Sequence, residues 1–278
     1  MENLSMAECR KRIGVSYLGG TTHSAKMRYS FNNGTMTYCV YLAPSNMAYP
    51  NTNKTVCPND KWCKAFCLNN AGHNKADILA RGVEESKINI SRIKKTKAFF
   101  EQHEVFMQLL IKEIESARAK AKRMGYEFSV RLNGTSDLSP EQFRYNGKNI
   151  LEIFPDVQFY DYTKCSGRFN LCKKYPNYDL TLSYNGHNWN KCEEVLNNGG
   201  KVAVVFSSHD MPKAFCGYNV ENGNDSDMRY LNSPSSIIFL HYHPTALDYV
   251  VNPLTKKREF VEPDTSFVVK STDNRIVF

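Results

Sequence analysis

The sequence predicts an α/β protein: a TIM-like (βα) barrel, whole or incomplete, preceded by an irregular N-terminal arm. Three observations carry that expectation. Segments rich in β-formers alternate with helical patterns at intervals of roughly 20 to 30 residues, the signature of βα units with right-handed crossovers. Each expected strand ends in polar side chains, which a barrel would gather at one mouth. No internal repeat, low-complexity tract or linker divides the chain.

The first strand is expected over 36–42, Met-Thr-Tyr-Cys-Val-Tyr-Leu, before the loop signal Ala-Pro-Ser-Asn. A helical pattern follows over 75–124, broken near 101–104, with Ile88, Ile93, Phe99, Phe106, Leu109, Leu110, Ile114 and Ala117 largely on one face and Gly125 closing it. Strands are expected over 126–132, 157–162, 180–184, 201–206 and 236–243, with a last one over 267–270. Helices are expected over 139–145, capped by Ser139 ahead of Pro140, and over 188–196 before Gly199 and Gly200. The domain reading is an arm or lid over 1–35 and one barrel domain over 36–278 that carries a three-cysteine metal loop.

Of the 278 residues, 41% are hydrophobic and 12% aromatic, which excludes a disordered or collagen-like chain. No window approaches the roughly 18 apolar residues that span a bilayer, and residues 1–12 lack the apolar stretch of a signal peptide. The expectation is a cytoplasmic protein without a membrane partner; its oligomeric state cannot be read from the sequence. With 36 basic and 28 acidic residues the net charge is +8, compatible with a polyanionic partner. Arg81, Lys87, Arg92, Lys94, Lys95 and Lys97 form a basic stretch that suits either phosphates or solvent.

In a reducing compartment nine cysteines are expected to hold metal or remain thiols. Cys57, Cys63 and Cys67 lie within eleven residues, and the spacing puts Cys63 and Cys67 on one helical face with Cys57 approaching from the loop before it. Thiolates so placed can wrap one soft metal centre. Zinc would require a fourth ligand, for which His73 is available. A [4Fe-4S] cluster held by three cysteines would keep one iron open. A three-cysteine loop directly after the first strand of a barrel resembles the radical S-adenosylmethionine enzymes. Their spacing is three and then two intervening residues, whereas here it is five and then three.

Longer strings carry a second resemblance. Leu42-Ala-Pro, Val56-Cys-Pro, Cys63, Cys67-Leu, Ala71-Gly72, the run from Val130 to Asp137, Phe159 to Lys164, Val202 to Phe206 and Asp227-Met-Arg229 resemble the phage family named after gene product eighty-eight. The resemblance covers about residues 40–240 and implies a phage origin, hence the host cytoplasm, but no established reaction.

At the strand ends, Asp137, Asp161, Tyr162 and Lys164 are the candidate catalytic groups, and the two aspartates suit a general base or a nucleophile at a sugar carbon. Zinc-containing transglycosylase barrels use aspartates so, although their zinc motif is absent; pairing with Arg131 or Lys164 is the structural alternative. Arg131, Asn133, Arg229, His241 and His243 are the candidate substrate-binding groups. The His241-Tyr-His243 alternation resembles the metal site of rolling-circle nickases, and 222–229 reads as a turn. The leading expectation is a phage-encoded iron-sulfur enzyme using S-adenosylmethionine on a nucleotide or nucleic acid. A zinc protein that binds nucleic acid or exchanges a base in it, and a non-catalytic phage binding protein with a structural metal, are the alternatives.

Overall fold

The computed structural model describes residues 3–64, 67, 69, 86–243, 249–251, 253–255, 258–260 and 266–278. Hydrogen bonding joins β1 (Gly19–Gly20), β2 (Thr35–Val40), β3 (Glu127–Arg131), β6 (Gln158–Thr163), β7 (Tyr178–Ser183), β8 (Lys201–Phe206), β11 (Ile237–His241), β10 (Tyr218–Asn222), β9 (Ala214–Phe215) and β15 (Ile276–Val277), in that order, with β14 (Val268–Val269) branching from β8. From β2 to β10 every neighbouring pair is parallel, and β1, β9 and β15 pair antiparallel at the two ends. The fold is therefore mixed α/β around a mostly parallel sheet. No pairing closes that sheet among the described residues, so the expected barrel, whole or incomplete, is not shown to close. Two hairpins stand apart, β4 (Arg144–Tyr145) with β5 (Lys148–Asn149) and β12 (Tyr249–Val251) with β13 (Arg258–Phe260).

The helices are α1 (Met6–Ile13), α2 (Ala25–Asn32), α3 (Lys87–Glu101), α4 (His103–Met124), α5 (Ile150–Ile153), α6 (Phe169–Lys174) and α7 (Trp189–Asn197). The expected interruption falls at Gln102, whose φ of −133° and ψ of 43° leave the helical region. Gly125 at φ 67° ends α4 in the left-handed cap that glycine enters without a Cβ penalty. The helix expected over 139–145 is only a 3-10 turn, Pro140–Gln142, leading into the β4–β5 hairpin. The 75–85 part of the expected long helix lies outside the described residues. No helix among them is long and apolar enough to cross a membrane.

Strand periodicity divides the sheet into two chemically different faces. Tyr38, Val40, Val130, Leu132, Phe159 and Leu180 pack against Phe106, Leu109 and Leu110 of α4, while Val202, Val204, Phe206, Ile237 and Phe239 pack with Val195 and Leu196 of α7. The opposite parity places Thr37, Ser129, Arg131, Tyr160, Tyr162, Asp179, Thr181 and Lys201 on the other face, across which Thr37 Oγ1 and Ser129 Oγ hydrogen bond at 2.9 Å.

Residues before 36, expected as an arm or lid, carry α1, β1 and α2 and bury Leu4, Cys9, Ile13 and Leu18 in the main core. Glu113 of α4 anchors them. Its carboxylate accepts from Leu18 N at 2.9 Å, Gly19 N at 3.3 Å, Tyr38 Oη at 2.6 Å and Arg10 Nη2 at 3.2 Å. Removing one partner of a buried charge network leaves the others unmatched, so Glu113→Ala should lower the unfolding free energy by about 3–5 kcal/mol in urea denaturation. Arg118→Ala breaks the exposed pair with Asp156 and should cost less than about 1 kcal/mol; equal losses in the two variants would refute the anchoring role.

Candidate active site

Because the strands from β2 to β11 run parallel, their carboxyl ends share one edge, where the loops after β2, β3 and β6 meet. Asn133 organises that edge. Its side chain accepts from Ser136 Oγ and Leu138 N, both at 2.8 Å, and donates to Leu138 O at 3.0 Å. Its backbone N and Nδ2 donate to the Asp161 carboxylate at 2.8 and 2.9 Å, and Tyr178 Oη donates to the same carboxylate at 3.2 Å. Burial pushes the Asp161 carboxyl up to about 6, against the opposing pull of Arg168 and the Asn133 hydrogen bonds. Asp137 accepts from Lys164 N at 2.9 Å and pairs with Arg168, which also donates to Tyr178 Oη at 2.6 Å. Of the partners expected from sequence, Asp137 meets Lys164 through its backbone N and takes the Arg168 charge rather than Arg131, while Asp161 takes neutral donors.

The cysteine loop joins this edge through Val56, whose N donates to Ser45 O at 3.1 Å and whose O accepts from Asp137 N at 2.8 Å. The Cys57 thiol lies 3.8 Å from Thr135 O. Burial pushes Cys57 up to about 12, and Cys67, Asp137 and Cys63 push in the same direction. Burial also raises Cys67, with Cys63 adding to it and Lys164 and Arg92 opposing. The other cysteines of the loop thus push Cys57 and Cys67 in the same direction as burial does. Instead of the expected shared helical face, Asp60–Lys64 is a turn closed by Lys64 N donating to Asp60 O at 2.9 Å. Among the described residues no group of three histidine, cysteine or acidic side chains has an arrangement that could hold a metal ion. His73 lies outside the described residues.

Arg131 and Tyr162 lie on the polar face. The Arg131 guanidinium sits 4.9 Å from the Tyr162 ring centre and donates to Asp227 at 2.8 Å. Lys26 of α2 approaches Asp227 at 3.6 Å and donates to Gly223 O at 2.6 Å. Arg229 is 2% exposed, in a 3-10 turn, Arg229–Leu231, and one of its nitrogens donates to Ser226 O. Lys201 pairs with Asp179 at 2.6 Å, and Tyr160 packs on Tyr230 with ring centres 5.4 Å apart. Burial raises the Asp227 carboxyl, but Arg131, Lys26 and Arg229 outweigh it and hold the group below its ordinary value.

His241 stacks on His209 with ring centres 4.0 Å apart, and His243 meets His241 edge-on at 5.8 Å. Burial and the neighbouring imidazoles lower His241, and burial with Lys26 lowers His243. Two open hollows, of about 510 Å3 beside Tyr184, Asp273 and Arg275 and about 260 Å3 beside Arg10, Tyr17 and Glu113, are lined by none of the site residues expected from sequence. The chemistry-bearing groups concentrate at the carboxyl edge and the polar face instead.

The pattern described as Gene product 88 matches residues 16–248, well over half the chain. The chain belongs to the Gene product 88 family. That is a phage family. No curated protein and no solved structure matches the chain. Within this Gene product 88 protein the structure joins Asn133 with Asp161, Asp137 with the backbone of Lys164, and Arg131 with Tyr162, and it sets His241 and His243 with His209 in a separate group. Sequence reasoning missed Lys26, Asp179, Lys201 and His209 and read Asp227 as part of a turn. Alternation along 178–183 and 201–206 was the available signal for Asp179 and Lys201; nothing local marks Lys26.

A carboxyl raised in the folded state contributes stability below its unfolded value near pH 4 and loses it as pH rises through about 6. The stability advantage of the wild type over Asp161→Asn should therefore shrink by up to about 3 kcal/mol between pH 4 and 7 in urea titrations. A difference that stays constant over that range would show that Asp161 is already ionised at pH 4.

Proposed function

We propose that this chain is an iron-sulfur enzyme of the radical S-adenosylmethionine type, built on an incomplete barrel and acting on a nucleotide or nucleic acid. The observation that carries the reading is the place of the loop that holds Cys57, Cys63 and Cys67, which follows the first strand of the parallel run and is tied to the carboxyl edge through Val56. Among the described residues the three thiols are not arranged as a metal-binding group, so the preference for an iron-sulfur cluster over zinc rests on that placement and on three soft sulfur donors in one loop. Strands β2, β3, β6, β7, β8 and β11 also follow one another in chain order, as in a barrel that stops short of closure.

Cys57, Cys63 and Cys67 would hold the cluster, which when bound supplies the electron for reductive cleavage of S-adenosylmethionine. The chain's own residues do the rest. Arg92, whose guanidinium lies 5.2 Å from the Tyr41 ring centre, keeps a positive charge between the thiol loop and Tyr41. Arg131, Tyr162 and Arg229 bind and orient the substrate there. Asn133, Asp137 and Asp161 are positioning residues that fix the loops carrying the thiols.

Protein purified without oxygen should be brown, absorb broadly in the visible and contain about four irons per chain. Cys57→Ser, Cys63→Ser and Cys67→Ser should each lose most of that iron, while Cys216→Ser keeps it. Colourless protein with about one zinc per chain would overturn the reading in favour of a zinc protein.

A further inference from the structure

Several buried polar atoms of the polar face have no hydrogen-bond partner among the described residues. Lys26 and Arg131 pair with Asp227, and the Arg229 charge acts on Asp227, Asp179 and Glu221. Asp179 is matched by Lys201 at 2.6 Å, and Glu221, which also senses Arg229, accepts from Asn232 Nδ2 at 2.6 Å and Ser233 N at 3.2 Å. Yet among the described residues Arg131 Nε, Arg229 Nε, Arg229 Nη1 and Tyr162 Oη are buried without a hydrogen-bond partner, as are Asp179 Oδ1, Thr181 Oγ1 and Asn232 Oδ1. Arg229 is almost wholly enclosed, and Gly223 is what lets it lie so deep, since a Cβ there would come within 2.8 Å of Arg229 Nη1. Unmatched buried guanidinium nitrogens cost free energy, and Lys26, Arg131, Arg229 and Lys201 outnumber Asp227, Asp179 and Glu221 by one, so an anion that accepts hydrogen bonds suits the free nitrogens of Arg131 and Arg229.

We propose that this face binds the phosphate monoester group of a small molecule between Arg131 and Arg229, and that Asp227 is a built-in competitor occupying part of that site. The inference rests on the functional reading above in taking the polar face as the substrate side. Two guanidinium forks match phosphate oxygens bidentately, and a doubly charged group balances several cations where one carboxylate does not. Enclosure selects a terminal phosphate over a running polynucleotide backbone, which could not bring an internal phosphodiester to a side chain 2% exposed. Asp227 presents its carboxylate from the 223–229 segment to Arg131 and Lys26, so an incoming phosphate displaces it and takes over those cations.

The test is calorimetric titration of the full-length chain as purified with inorganic phosphate and adenosine monophosphate at fixed ionic strength. Saturable binding is expected, about tenfold or more weaker in Arg131→Gln and Arg229→Gln and about tenfold tighter in Asp227→Asn, with Lys11→Gln unchanged. Should the arginine variants not fold, Asp227→Asn decides, because it keeps every cation and removes only the competitor. No saturable binding by folded wild type and folded Asp227→Asn overturns the proposal. So does succinate binding where phosphate does not, or an oligonucleotide without terminal phosphate competing as well as adenosine monophosphate. The titration requires no cluster, so its failure leaves the iron content of anaerobic protein as a separate result.

Discussion

Buried charge is the constraint around which this molecule is arranged. Arg131 lies on the face of a parallel sheet where a core would ordinarily be apolar, and a guanidinium cannot be left unpaired there without a cost of several kcal/mol. Asp227 meets that demand from a segment nearly a hundred residues later in the chain. The 2.8 Å bond therefore determines more than local geometry, because it draws the 223–231 segment across β3 and β6 and brings Arg229 and Tyr230 with it. Replacing the pair by apolar groups would be the cheaper way to pack a sheet. Its retention on one face alone fits a surface shaped for a polar ligand.

The carboxyl edge obeys the same constraint in a different way. Asp161 is more deeply buried than Arg131, and its neighbours are the amide and backbone of Asn133 and the Tyr178 hydroxyl, with the Arg168 charge nearby. Those bonds hold the 133–138 loop against β6, and Asp137 N then fixes Val56, the residue before Cys57. The position of the first thiol is thus set by a chain of backbone contacts that begins at a buried carboxyl. Beside it the Arg92 guanidinium lies 5.2 Å from the Tyr41 ring centre.

Much of the parallel sheet was legible because its strands are short runs of Val, Phe, Tyr and Leu bounded by Pro, Gly and Asn. The runs read at 126–132 and 201–206 match β3 and β8 closely. Closure was not legible, since it depends on strand tilt and on which edges meet. Nor was the inverted order of β10 and β11: Tyr218–Asn222 is polar and alternates weakly, and its pairing with Ile237–Phe239 on one side and Ala214–Phe215 on the other makes it a strand. At the site, sequence reasoning selected Asp161 and Asp137 because acids at strand ends suit catalysis. It could not see that Asn133, Tyr178 and Arg168 would surround them. Asp227 looked like one acid in a turn because its meaning comes entirely from Arg131 and Lys26, residues remote in the chain.

The N-terminal residues gain their significance from the same geometry. Glu113 holds β1 and α1 against α4, which places α2 over the polar face. From there Met27 accepts the Tyr41 hydroxyl at 3.2 Å, and Lys26 holds both Gly223 O and Asp227. One helix turn therefore touches both Tyr41 and the segment that carries Asp227. Lys26 and Arg131 hold different oxygens of that carboxylate. The cover of the polar face is consequently shared between the two ends of the chain, and the segment that looked like an arm is half of what encloses the site.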